Sequence, residues 1–164
     1  MSEGANILLW GIDHHRAPTE VRERVHISSE AASVLIAALS RENGFVSCVP
    51  VSTCNRTEIY LEARPAFHAH EALSRALGEA GLDPLIFTGE YGLRLQGREA
   101  MAHLYRVASG MESMMLGEPQ IAAQLKDAYR QAKEHHELGP VIMRAFQGAF
   151  RAGKCVRTQT KIGA

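Results

Sequence analysis

The chain has 164 residues, 46% hydrophobic and 22% charged, with Lys+Arg 18 against Asp+Glu 18. That is ordinary globular composition, long enough for one domain with a real core, and the balanced charge points to no partner. No apolar run nears the roughly 18 residues that would mark a membrane span. The acidic start Met1-Ser2-Glu3-Gly4 is unlike a secretory signal, and three widely spaced cysteines do not form a disulfide framework; a cytoplasmic protein is expected.

Ile7 to Ile12 reads as a buried strand that runs into the polar turn Asp13-His14-His15-Arg16-Ala17-Pro18. Thr19 is placed to cap a short helix over Val21 to Val25, with Glu20 in its first turn. Ser28-Ser29-Glu30 starts a stronger helix. Its apolar positions Ala31, Val34, Leu35, Ala38 and Leu39 keep helical spacing, and Asn43-Gly44 ends it. Two strands follow, 45–51 and 57–63. Pro65 opens a helix that runs past Leu73 and Leu77 to Gly78 or Gly81. Leu85-Ile86-Phe87-Thr88 reads as a fourth, short strand. The order β-α-β-β-α-β predicts a ferredoxin-like core, a mostly antiparallel four-stranded sheet with helices on one face.

The remainder is helical. Arg98 to Ala108 buries Met101, Leu104, Tyr105 and Ala108. A helix from Glu118, with Pro119 at its first position, buries Ile121, Leu125, Ala128, Tyr129 and Ala132. Gly139-Pro140 separates it from a last helix over Ile142, Ala145, Phe146, Ala149 and Phe150. The expectation is one α+β domain spanning 1–164, with a helical C-terminal half.

The candidate chemistry centres on Ser52-Thr53-Cys54-Asn55-Arg56, at the junction of two strands. Cys54 has hydrogen-bonding neighbours on both sides and an arginine two residues on. Such surroundings favour a thiolate, the nucleophilic form, and suit attack on a carbonyl. The alternative is a small buried hydrophobe, as free cysteine usually is. Cys48, in an apolar strand, and Cys155, in the last helix, lack this setting. Gln120, Gln124, Asp127 and Gln131 recur at helical spacing opposite Leu125 and Tyr129. The stripe is either a solvated face, or Glu118, Gln120 and Gln124 hydrogen-bond a polar ligand, an anionic one also using the free N–H groups of the helix start. His103 reads as partly exposed, toward the side of Glu99 and Arg106; near a nucleophilic cysteine it would tune the thiolate or shuttle a proton. The pairs His14-His15, His68-x-His70 and His135-His136 do not converge on one ligand position, so no metal is expected. There is no GxGxxG and no GxxxxGK[ST]. After Glu137 the sequence has no acid, while Arg144, Arg151, Lys154, Arg157 and Lys161 follow. That basic flank is a solvated helix end or a contact for RNA phosphates.

Several strings together resemble the N-terminal catalytic domain of glutamyl-tRNA reductase, the first committed enzyme of the five-carbon tetrapyrrole (porphyrin) pathway. They are Gly11–Pro18, Ser52–Tyr60 (STCNRTEIY), His103–Gly110, Leu116–Ile121 (LGEPQI), and Ala149–Lys154 with Val156-Arg157-Thr158. They run in order over nearly the whole chain, and the second and fourth are highly specific. The resemblance implies that Cys54 attacks the ester joining glutamate to the tRNA 3′ end, that a thioester forms, and that NADPH reduces it to glutamate 1-semialdehyde. It places substrate contacts on Thr53, Asn55, Arg56, Ser113, Glu118, Pro119, Gln120 and Gln124, and importance for activity on His103. Arg56 would hold the substrate's side-chain carboxylate bidentately. Glutamyl-tRNA is the implied partner, with glutamate-1-semialdehyde aminomutase as a further candidate. His14-His15-Arg16 departs modestly from the family's usual Asn-His-Lys-Thr. Family members continue into NADPH-binding and dimerisation domains; neither is expected within this chain, which ends about where the first would begin. A monomer is therefore expected for the chain, against a homodimer for the full-length enzyme. Thioester formation and slow hydrolysis are its expected activity. The rival readings are a tRNA- or partner-binding module without chemistry, and an unrelated thiol acyltransferase.

Overall fold

The structure is a computed structural model that describes residues 4–113, 115 and 119–159. The elements run β1 (Asn6–Asp13), α1 (Thr19–Arg24), α2 (Ser29–Ser40), β2 (Phe45–Ser52), β3 (Arg56–Ala63), α3 (Ala69–Glu79), α4 (Pro84–Thr88) and β4 (Leu93–Gln96). The helices α5 (Arg98–Ala108), α6 (Gln120–His135) and α7 (Pro140–Gln159) complete the described chain. The sheet order is β2-β3-β1-β4, and every neighbouring pair is antiparallel. This is the ferredoxin-like split β-α-β arrangement, with β3 inserted between β1 and β2.

Strand alternation sorts the core into two layers. Trp10, Ile12, Cys48, Ile59 and Leu61 face α1 to α4, where Leu35, Leu39, Leu73, Leu77 and Phe87 meet them. Ile7, Leu9, Val49, Val51 and Tyr60 face the opposite way, onto Leu104, Val107, Leu125, Ile142 and Phe146 of α5 to α7. The helical C-terminal half therefore covers the face that the ferredoxin-like core leaves open. Central in the sheet and covered on both sides, β3 is buried at all of its positions.

The structure corrects the sequence reading at three places in the N-terminal half. Leu85–Thr88 lies in the helix α4, not in a strand. Asp83 caps α4 by accepting from the Leu85 N–H at 3.0 Å, and Pro84 preorganises its first turn. The edge strand is Leu93–Gln96, which pairs with Leu8 to Gly11; Leu93 and Leu95 pack inward while Arg94 and Gln96 face out. Thr19 is the first helical residue of α1 instead of its cap, a position held by Pro18. The helix expected from Pro65 starts only at Ala69, because residues 65–67 form a turn closed by the Phe67 N–H on the Arg64 carbonyl at 2.9 Å. The start of α2 is as the sequence indicates: the Ser28 hydroxyl accepts from the Ala31 N–H at 3.1 Å. Among the described residues no helix is long and apolar enough to cross a membrane.

Candidate functional site

The turn between β2 and β3 carries Cys54, which is exposed and free. Short local bonds hold the turn. The Thr53 N–H donates to the Arg56 carbonyl at 2.8 Å, and the Asn55 N–H to Thr53 Oγ1 at 3.2 Å. Two neighbours brace it from outside. The His14 N–H donates to the Asn55 carbonyl at 2.9 Å, and Arg22 of α1 reaches the Cys54 carbonyl through Nε at 3.2 Å. Arg22 is itself anchored on the Ala17 carbonyl at 2.6 Å. The backbone of Cys54 is thus fixed while its side chain stays accessible.

A small cleft of about 70 Å³ opens beside it, lined by Thr53, Cys54, Asn55, Arg56, Ser113, Gln120, Ile121 and Gln124. Most of the expected substrate residues come together here from three separate stretches of chain. Pro119 is exposed at the start of α6. Glu118 lies outside the described residues. The half-buried Gln124 also lines a larger cleft of about 290 Å³ with Asp127 and Gln131, so the polar stripe of α6 spans both.

Behind the cleft lies a buried ionic network that the sequence reading did not find. The Arg56 guanidinium, 1% exposed, donates through Nη1 to Glu58 Oε2 at 2.9 Å and through Nη2 to the Glu112 carbonyl at 2.6 Å. Glu58 also accepts from the Tyr60 hydroxyl at 2.7 Å and from His103 Nε2 at 2.5 Å. The registers of β1 and β3 bring Asp13 opposite Arg56. Burial alone would push the Glu58 carboxyl up. The His103 hydrogen bond, the charges of Arg56 and His103, and the Tyr60 bond outweigh it and hold the group down at about 2. Burial, and then Glu58, push the Tyr60 phenol well up. At Arg56 burial works against the charge, yet Glu58, Tyr60 and Asp13 together raise its pKa.

His103 is not on the polar side of α5, as its sequence neighbours suggest; it is buried, 3% exposed. It does not line the Cys54 cleft but connects to it through Glu58 and Arg56. Asp13, Glu58 and His103 offer ligand atoms within 4.8 Å of one another. Arg56 already supplies the compensating cation on the same Glu58 oxygen. A sequence signal for this network existed. Arg56, Glu58, Tyr60 and Glu62 alternate along a strand whose other residues are Thr57, Ile59, Leu61 and Ala63. A polar face on a central strand needs internal partners.

In the basic flank of α7, Arg157 donates through Nη1 to the Ala108 carbonyl at 2.9 Å, tying the end of α7 to that of α5; Lys161 lies outside the described residues. Cys48 is fully buried and Cys155 exposed.

Fold and site together define an α+β domain of ferredoxin-like type with an accessible thiol on the rim of a polar, arginine-floored cleft. Residues 10–160 match the family model described as Glutamyl-tRNAGlu reductase, N-terminal domain. The chain is 41% identical over 162 residues to the glutamyl-tRNA reductase of Rubrobacter xylanophilus, covering 96% of this chain and 36% of that protein. It is 41% identical over 169 residues to the one from Pseudoalteromonas translucida, covering 96% and 37%. The solved glutamyl-tRNA reductase from Methanopyrus kandleri superposes with a TM-score of 0.76 at 29% identity, covering 97% of this chain and 35% of that one. The chain belongs to the glutamyl-tRNA reductase N-terminal domain family, and it spans little more than a third of the length of these relatives.

Proposed function

We propose that this chain is the catalytic, glutamyl-tRNA-binding domain of a glutamyl-tRNA reductase and that Cys54 is its nucleophile. The observation that carries this reading is the placement of an exposed thiol on the rim of a cleft shared by Arg56, Ser113, Gln120 and Gln124. The Cys54 sulfur attacks the ester carbonyl of glutamyl-tRNA. A carbon–sulfur bond forms, the bond to the ribose oxygen breaks, and that oxygen takes up a proton as the tRNA leaves. Arg56 recognises the substrate's side-chain carboxylate. Its bonds to Glu58 and Glu112 use only part of a guanidinium's five N–H donors and lock the fork in place for the remainder. Gln120 and Gln124 supply neutral hydrogen bonds from the opposite wall, and Thr53, Asn55 and Ser113 complete the cleft. His103 is a positioning residue in this reading. Its bond to Glu58 fixes the carboxylate that fixes Arg56.

The resemblance implies NADPH as reductant, but the residues of this chain do not fit a dinucleotide. The sequence has no glycine-rich strand–turn–helix fingerprint, and among the described residues all paired strands are antiparallel, without the parallel β-α-β crevice such cofactors occupy. Reduction to the semialdehyde is therefore assigned to residues outside these 164. The chemistry of this chain ends at the thioester, which water opens slowly to free glutamate and the thiol. Deacylation of glutamyl-tRNA by this chain tests the reading. Cys54→Ser should abolish it while leaving tRNA binding intact; equal deacylation by both proteins would remove Cys54 from the mechanism.

A further inference from the structure

The cleft of about 290 Å³ next to the Cys54 cleft has no role in the chemistry above. Its walls come from the loop before α2 (His26, Ser28) and the first residue of α2 (Ser29), the end of β2 (Ser52) and the outer face of α6 (Gln124, Asp127, Gln131). Three features limit what it accepts. It adjoins the Cys54 cleft, since Gln124 lines both and Ser52 directly precedes Thr53. It has polar donors and acceptors but no lysine or arginine, so it is not built for a phosphate. Much of its hydrogen-bonding capacity is unused. Among the described residues Gln124 and Gln131 have no side-chain partner, Asp127 is engaged only through Oδ1 by Arg130 at 3.1 Å, and His26 uses only Nδ1, against Ser52 Oγ at 3.0 Å.

We infer that this cleft is the subsite for the uncharged leaving-group nucleoside of the acyl donor, the 3′-terminal adenosine of the tRNA. The inference rests on the reading of Cys54 as nucleophile toward glutamyl-tRNA. An aminoacyl ester sits on a ribose hydroxyl, so the nucleoside must lie within one sugar of the attacked carbonyl, and this cleft shares a wall with the nucleophile's. A glutamine amide pairs with the adenine edge by one acceptor and one donor, the pattern that Gln131 offers. The free oxygen of Asp127 accepts from a ribose hydroxyl, as acidic residues do in nucleotide sites. The His26 ring, held by Ser52, offers a flat face for the base.

Asp127 and Gln131 are exposed, so replacing both by alanine leaves the fold intact. Two measurements test the inference. Amide spectra of the isotope-labelled chain, titrated with adenosine, should shift at residues 26–29 and 124–131, and the Asp127→Ala/Gln131→Ala chain should bind about tenfold more weakly. No shift, or shifts elsewhere, overturn the subsite whatever Cys54 does. Cleavage of 3′-O-glutamyl-adenosine should be preferred over that of glutamate α-ethyl ester, and the double variant should raise KM for the nucleoside ester alone. A preference that survives the double substitution also overturns it. Loss of both cleavages in Cys54→Ser belongs to the parent reading; failure there, with adenosine still bound at 26–29 and 124–131, would sink the nucleophile and not the subsite.

Discussion

Replacing Glu58 by Gln removes one charge from the network behind the cleft and changes almost no volume. Glu58 is 1% exposed and bonded to Arg56, Tyr60 and His103. The glutamine amide keeps an acceptor for Tyr60 or His103 but leaves the 1% exposed guanidinium of Arg56 without a counter-charge at 2.9 Å. Breaking a buried pair in this way costs about 3–5 kcal/mol, because the surviving charge stays desolvated. At an m-value of about 2 kcal/mol/M the urea midpoint should fall by roughly 2 M, read from Trp10 fluorescence or circular dichroism at neutral pH. The pH dependence carries a sign. Glu58 is held down at about 2 in the folded chain against 4.5 for a free glutamate side chain. Its stabilisation is therefore fully present above pH 4.5 and is lost as pH falls through about 2. The stability gap between the two proteins should close over that window. A midpoint shift under ~0.5 M at neutral pH, or a gap that widens in acid, would refute the network as described.

Two further outcomes follow from other parts of the fold. A Cβ at Gly139 would land on the Glu62 carboxylate, whose Oε1 accepts from the Ile142 N–H at 2.8 Å at the start of α7. Gly139→Ala should cost about 2 kcal/mol by overpacking, seen as a lower thermal midpoint; an unchanged melt would show that Glu62 moves aside freely. His136 uses both ring nitrogens, Nδ1 toward the Ala132 carbonyl at 2.8 Å and Nε2 as acceptor for the Cys48 N–H at 3.0 Å. Burial lowers its pKa from 6.5, with a further push from His135 against the Ala132 bond. The contribution of neutral His136 is present above pH 6.5 and lost as pH falls through the lowered value. Exchange of the Cys48 amide should accelerate over that acid limb beyond the change seen at other β2 amides, and a pH-independent protection factor would contradict the assignment.

The ferredoxin-like order was legible because hydrophobic alternation and glycine-marked ends bound β1, α2, β2 and β3 clearly. The last strand was not. Leu85-Ile86-Phe87 is a short apolar run, which period alone cannot divide between strand and helix. The Asp83-Pro84 cap decided for helix, and the alternating Leu93-Arg94-Leu95-Gln96 was the better strand. Thr53 to Arg56 and Gln120 stand in the family strings and Gln124 in the polar spacing of α6, whereas Ser113 is marked by the resemblance alone. His103 was not legible as buried, because its helix neighbours Glu99 and Arg106 are polar; only the Glu58 carboxylate, 45 residues away, explains a histidine inside. Local periodicity does not say which distant residue a buried polar group pairs with. The alternation Arg56, Glu58, Tyr60, Glu62 was the one readable sign of the network.

The central claim is that Cys54 takes the glutamyl group from tRNA. The most direct measurement is intact-protein mass spectrometry of the acid-quenched chain after brief incubation with glutamyl-tRNA, followed by peptide mapping. The account predicts one added glutamyl group on the peptide that contains Cys54, labile to hydroxylamine as a thioester is, and none in Cys54→Ser. An unmodified chain despite Cys54-dependent deacylation, or a glutamyl group on Cys48 or Cys155 instead, would contradict it.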